Sequence, residues 1–323
     1  MIPRFAVVAS GIFLAVAAMG QGSALAKKTW SAPRTPDGKP DLQGIFSTAT
    51  LTPLERPADL GDKQFFTEKE AQEYENQLLK TSNRDRRDGG ADTDVGRAYN
   101  EFWFSRGDHI VASRRTSLIV DPPDGKIPAL TPAAQKAQAE RNAVTRERAF
   151  DGPEYRNLAE RCLVWGTGGP PMIPGGYNNN YQIVQAPGYV VILVEMIHDT
   201  RVIPTDGSPH PPSNVRAWLG DSRGRWEGDT LVVDTTNFTN KTNFRGADEN
   251  MHLIERFTRT GSDTVLYEFT VDDPTAFTKS WSAQIPMNRI SGPILEYACN
   301  EGNYGMEGIL SGARAQEKTK DKK

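Results

Sequence analysis

From Tyr181 onward the chain is cut into about ten short segments of strand length, and that run constrains its fold more than any other feature. The segments are 181–185, 189–195, 200–204, 215–219, 223–227, 230–236, 251–260, 264–271, 279–285 and 294–298. Most are β-branched or aromatic in content, and turn residues separate them. Val265, Tyr267, Phe269 and Val271 share one face, while Thr264, Glu268, Thr270 and Asp272 share the other. That period of two marks a half-buried antiparallel strand. Ala186-Pro187-Gly188, Glu227-Gly228-Asp229 and Gly261-Ser262-Asp263 are short enough for hairpins. The expectation is a mainly β fold, an antiparallel meander closing as a lipocalin-like barrel, with a β-sandwich as the alternative. A propeller is disfavoured because no blade-length repeat is visible.

The half before these strands has a different texture. Residues 27–176 read as an extended segment carrying two or three accessory helices. One helix starts at Thr67, where Thr67-Glu68-Lys69-Glu70 has the form of a capping box. A second starts at Thr131-Pro132, with threonine as the cap and proline in the first turn. Residues 82–96 are charged, Gly-rich and without periodicity, which predicts a loop. Residues 166–176 form a Gly/Pro loop. The β-rich part spans 177–315, and the charged tail 316–323 is expected to be disordered.

The first 26 residues predict export. Arg4 supplies the positive start, 5–19 an apolar stretch, and Ala24-Leu25-Ala26 a small-x-small cleavage pattern. The apolar stretch is short for a bilayer span, which needs roughly 20 residues, and no later segment approaches that length. Export makes a disulfide between Cys162 and Cys299, the two cysteines of the chain, a natural expectation; two separate buried thiols are the alternative. A net charge of −3 with both signs interspersed removes the electrostatic basis for binding nucleic acid.

Several blocks occur together: Asp37-Gly38-Lys39-Pro40-Asp41-Leu42-Gln43-Gly44, the run from Arg223 to Thr235 that contains Trp226-Glu227-Gly228-Asp229, Glu255-Arg256-Phe257-Thr258-Arg259, the run from Leu266 to Pro274, and Tyr297-Ala298-Cys299-Asn300-Glu301-Gly302-Asn303-Tyr304. In this set the chain resembles a large family of exported bacterial proteins of unassigned function. The resemblance covers nearly all of the chain after the signal and implies a periplasmic protein. It implies no catalytic residue. Family members often carry His where this chain has Asn300, which argues against a metal or acid–base role at that position.

The common catalytic motifs are absent, including the phosphate-binding loop, the nucleophile elbow and H-E-x-x-H. His109, His198, His210 and His252 show no ligand spacing, so neither a metal nor a cofactor is expected. The remaining candidates are polar residues that a barrel interior or mouth would use. His252, Glu255 and Glu301 are candidates for acid–base catalysis, since a carboxylate among apolar neighbours has a raised pKa when it lacks a partner. Glu195, His198, Arg245, Arg256, Tyr297, Asn303 and Tyr304 are candidates for ligand contacts, with Arg245 placed to fork onto a carboxylate or phosphate. A structural salt bridge is the competing reading for Glu195 and Glu255.

Three functions remain open. The leading one is a small-molecule-binding protein, periplasmic or secreted, whose apolar or amphipathic ligand occupies the barrel. The alternatives are a cofactor-free lyase, isomerase or hydratase using His/Glu chemistry in the same cavity, and an envelope interaction protein.

Overall fold

The computed structural model describes residues 30–97 and 99–320, so the expected signal peptide lies outside the described residues. In chain order the elements are β1 (Gly44–Ser47), α1 (Glu68–Ser82), α2 (Gly90–Arg97), β2 (Ile119–Asp121), α3 (Pro132–Glu147), β3 (Asn180–Ala186), β4 (Tyr189–Val194), β5 (Thr200–Pro204), β6 (Asp221–Glu227), β7 (Thr230–Thr236), β8 (His252–Arg259), β9 (Thr264–Asp272), β10 (Trp281–Arg289) and α4 (Tyr304–Lys320).

Nine strands form one antiparallel sheet in the order β5-β4-β3-β1-β10-β9-β8-β7-β6, and it curls through 303° into a nearly closed barrel. The short strand β2 pairs with β10 outside this path. Because β5 and β6 share no backbone ladder, side chains close the seam. Arg201 on β5 donates to the Ser222 hydroxyl on β6 over 3.1 Å. A Cβ on Gly224 would come within 2.8 Å of Thr205 Cγ2 and 3.0 Å of Ile203 Cγ2, so glycine lets the two edges approach.

The period-two reading of β9 holds in detail: Val265, Tyr267, Phe269 and Val271 are buried, and the residues between them are not. Their neighbours Leu253 and Phe257 on β8, and Ala283, Ile285 and Met287 on β10, complete an apolar wall. Each such side chain contributes about 1.5–3 kcal/mol through burial. The Gly/Pro loop 166–176 enters this interior and buries Met172 and Ile173. The Met172 N–H donates to the Tyr267 hydroxyl at 3.0 Å, and the Tyr181 hydroxyl donates to the Thr167 carbonyl at 3.1 Å. The barrel interior is therefore packed in part by this loop as well as by the strands' own side chains.

The two expected helix starts are present. Thr67 accepts from the Glu70 N–H at 3.3 Å while the Glu70 carboxylate accepts from the Thr67 N–H at 2.9 Å, a complete capping box. Thr131 accepts from the Ala134 N–H at 3.1 Å and Pro132 opens α3.

Other local expectations differ from the structure. Residues 215–219 form no strand: Ala217 makes a single bridge to Phe238, and Asn237, with φ of 59°, turns the partner segment away. Residues 294–298 form none either, because the Leu295 N–H is taken by the Glu195 carboxylate instead of a neighbouring strand. Part of the loop 82–96 is helical as α2, and α4 continues through the first residues of the tail that was expected to be disordered. Strand β1 comes from the N-terminal half and lies between β3 and β10, so strands from both sides of residue 177 share the sheet. Gly44, with φ of 145°, makes room there for the Arg289 guanidinium, which stacks on Phe46.

Candidate functional site

Three clusters of polar side chains have defined geometry: one inside the barrel, one at its end and one on its outer face. Inside, Glu255 on β8 is fully buried. Its carboxylate accepts from Arg201 Nη1 at 3.1 Å and Nη2 at 2.6 Å, and from the Tyr267 hydroxyl at 2.8 Å. Burial pushes the Tyr267 hydroxyl pKa well above its ordinary value, and the Glu255 charge adds to the effect. Burial works to lower the Arg201 pKa, but the adjacent Glu255 carboxylate outweighs it and the guanidinium is held above its usual range. This is a buried, bidentate ion pair with a structural role, although Arg201 Nε is buried without a hydrogen-bond partner. It also separates Glu255 from His252. Residues three apart on a strand point to opposite faces, and His252 faces outward.

At one end of the barrel most of the expected ligand-contact residues come together. The turn from β4 to β5 places Ile197 at φ of 60° and His198 at φ of 45°. A β-branched residue in the left-handed region is strained, and such strain gathers at functional sites. Glu195, buried at the start of this turn, accepts from Asn180 Nδ2 at 2.8 Å and from the Leu295 N–H at 3.1 Å. His198 Nδ1 lies 3.0 Å from the Tyr297 carbonyl. A carbonyl only accepts, so Nδ1 carries the proton in this contact.

Tyr297 stacks on Tyr177 with ring centres 6.5 Å apart and planes 17° from parallel. Trp165 packs against both tyrosines, at 6.2 Å and 6.1 Å, and Phe104 meets Tyr177 edge-on at 6.3 Å. Partial burial, followed by the contact with Tyr297, pushes the Tyr177 pKa up to about 12. The Cys162–Cys299 disulfide is formed, and it ties the segment carrying Tyr297 to the one carrying Trp165. Asn303 Nδ2 donates to the Glu160 carbonyl at 3.2 Å and contacts Cys162 Sγ at 3.5 Å. An open cleft of about 460 Å³ lies here, walled by Trp165, Tyr297, Glu160, Asn157, Ala159, Asn303 and the disulfide.

Tyr297, Asn303 and both cysteines thus line the cleft, whereas Glu195 and His198 do not line it and connect to its segment through the Leu295 N–H and the Tyr297 carbonyl. Tyr304 is exposed, and Glu301, also exposed, does not line the cleft. Arg245 points to solvent from a separate loop, where Gly246 packs against Leu130. Arg256 lies on the outer face of β8 and pairs with Glu227 at 3.1 Å. Sequence reasoning missed Trp165, Tyr177 and Glu160. The nearness of Trp165 to Cys162 was the one available signal.

The outer-face cluster was also missed, apart from His252. His252 Nε2 lies 3.1 Å from both carboxylate oxygens of Asp234 on β7. His210, from the proline-rich loop before β6, places Nε2 3.2 Å from Asp234 and Nδ1 2.7 Å from Asp221. Arg223 holds Asp221 with two hydrogen bonds, of 2.8 and 3.0 Å. Each ring nitrogen here donates to a carboxylate when it carries a proton, which is how a proton-transfer group is oriented. Among the described residues no group of three or more His, Cys, Asp or Glu side chains is arranged to hold a metal ion. Among the described residues, likewise, no helix is long and apolar enough to cross a membrane. Compared with known proteins, the chain matches no family model and no curated protein.

Proposed function

We propose that this is an exported, periplasmic protein that binds a small apolar or amphipathic molecule, and that the ligand docks in the aromatic cleft at the disulfide end of the barrel. The observation that carries the reading is the convergence of Trp165, Tyr177 and Tyr297 beside Glu160 and Asn303 on a segment fixed by the disulfide. Aromatic walls with a few placed polar groups are the usual make-up of a ligand site. Stacking contributes about 0.5–1.5 kcal/mol per ring pair beyond area burial. The disulfide and the signal-like start support export, and the resemblance to exported bacterial proteins supports the periplasm.

Mass spectrometry of protein purified from the periplasm under native conditions tests this directly. The wild type is expected to carry a small molecule that Trp165→Ala and Tyr297→Ala lose while keeping their circular dichroism. Equal occupancy in all three proteins would remove the cleft as the site.

A second reading rests on a separate observation, the Asp221–His210–Asp234–His252 array. Here His210 is oriented by Asp221 as a general base is by its carboxylate partner, and the chemistry is isomerisation, elimination or hydration without a cofactor. A substrate screen in which His210→Gln and His252→Gln both abolish turnover would support it. Turnover indifferent to both would end it.

A further inference from the structure

The segment between α1 and β2 holds three of the four most exposed aromatic side chains among the described residues, and neither the cleft nor the outer-face array uses them. Phe102 is 83% exposed, Tyr99 67% and Trp103 62%, with Val95 at 78% beside them in sequence on α2. These rings are braced rather than loose. Phe102 and Trp103 sit on a 3-10 turn, Glu101–Trp103, and meet edge to face at 5.3 Å. The Glu101 N–H donates to Asp85 at 3.0 Å. The Glu101 carboxylate accepts from the Arg84 N–H at 2.9 Å and from Arg106 Nη2 at 3.2 Å. A turn anchored through Glu101 and tipped with apolar rings gains nothing for folding from exposing them.

Two open clefts accompany this turn. One is lined by Lys80, Arg86, Arg87 and Asp88, the other by Arg84, Arg97 and Arg106 together with Phe104. Their linings hold six cations: Arg86 and Arg97 pair with Asp88, Arg87 with Asp94 and Arg106 with Glu101, and among the described residues Lys80 and Arg84 have no ion-pair partner. Apolar tips flanked by arginine and lysine match a bilayer interface: rings enter the acyl boundary while the cations meet lipid phosphates. Single-stranded nucleic acid also joins phosphates to stacked rings, but its bases stack on rings that line a groove. Phe102 and Trp103 stand out beside the clefts instead. We propose that the protein docks peripherally on a phospholipid bilayer through Phe102 and Trp103, with the neighbouring arginine clefts receiving lipid phosphate groups. This surface is independent of the proposed ligand cleft.

The test is sedimentation of the mature chain with phosphatidylcholine vesicles, with and without phosphatidylglycerol, alongside a Phe102→Ser/Trp103→Ser variant. Both substitutions lie at exposed positions, and circular dichroism confirms the fold of the variant. The expected result is partition into the mixed vesicles, at least about tenfold weaker for the variant, with a blue-shifted emission on binding that Trp103→Phe reduces. Partition into phosphatidylcholine alone is expected to be weaker, also by about tenfold. Absence of partition, or equal partition of wild type and variant, overturns the proposal. So does wild-type self-association in analytical ultracentrifugation that the variant abolishes, or tight binding to oligo(dT) that excludes vesicles.

Discussion

Strand β8 carries one charged cluster on each of its faces, and the two differ in almost every physical respect. Inward, Glu255 meets Arg201 and Tyr267 with no access to water. Outward, His252 meets Asp234, which His210 also faces, and all three remain in contact with solvent. The inner carboxylate has its lone pairs occupied by the fold, so it can hold the barrel together but cannot exchange protons with a substrate. The outer one is shared between two imidazoles that water and solutes can reach. Similar groups separated by the thickness of one strand are withdrawn from water in one case and left within its reach in the other.

The sharpest way to break this comparison is to remove one inner partner. Glu255→Leu leaves the Arg201 guanidinium buried without its counter-charge, and a loss of about 3–5 kcal/mol in urea unfolding is expected. The double substitution Arg201→Met/Glu255→Leu should recover most of that loss, because a well-packed apolar pair often matches a buried ion pair. A single variant within about 1 kcal/mol of wild type would mean that water already reaches the pair.

The barrel's end is fixed by a covalent bond instead of charge. The Cys162→Ser/Cys299→Ser variant opens a link across 137 residues. A loss of about 2–5 kcal/mol is expected from denaturant midpoints, with Trp165 fluorescence changing early in the transition. Coincident loss of Trp165 and barrel signals at an unchanged midpoint would show that the end holds together without the bond.

What was legible in the sequence follows the same inner and outer division. Period-two patterns mark positions such as Val265 to Val271 because burial selects apolar residues there, so the barrel strands could be read. The closure at β5 and β6 leaves no such mark, since a glycine and an arginine make it from segments that are not neighbours in the ladder. Strand β1 is four residues long and acquires its neighbours only through the tertiary fold. At the barrel's end, Cys162 and Cys299 were visible through their pairing, and Glu195 through its place after an apolar strand. Of the outer array only His252 was visible, because His210 lies in a proline-rich loop, far in sequence from Asp234 and His252. Local spacing carries no information about such a meeting.

The outer array should respond differently from the inner pair. Asp234→Asn removes the carboxylate that both imidazoles face, yet a stability change under about 1 kcal/mol is expected at so accessible a position. In NMR spectra the imidazole resonances of His210 and His252 should both move on this substitution, whereas Tyr297→Ala at the barrel's end should leave both alone. Independent responses of the two histidines would dissolve the array into two unrelated pairs.

The smallest effect belongs to a carboxylate with defined partners at the protein surface. Glu70 accepts from Lys63 and from the Thr67 N–H at the start of α1, and these hydrogen bonds, that of Lys63 foremost, lower its pKa from 4.5 to about 2. A pKa depressed by folding means that the contribution is fully present above the unfolded value and disappears as pH falls from about 4.5 through 2. NMR of the Glu70 side chain should show a midpoint near 2, raised by Lys63→Met and by high salt, which screens an exposed pair. Salt should leave the stabilising effect of the buried Arg201–Glu255 pair almost untouched, since ions cannot approach it. If both pairs weaken alike in salt, burial is not what separates the interior of this barrel from its surface.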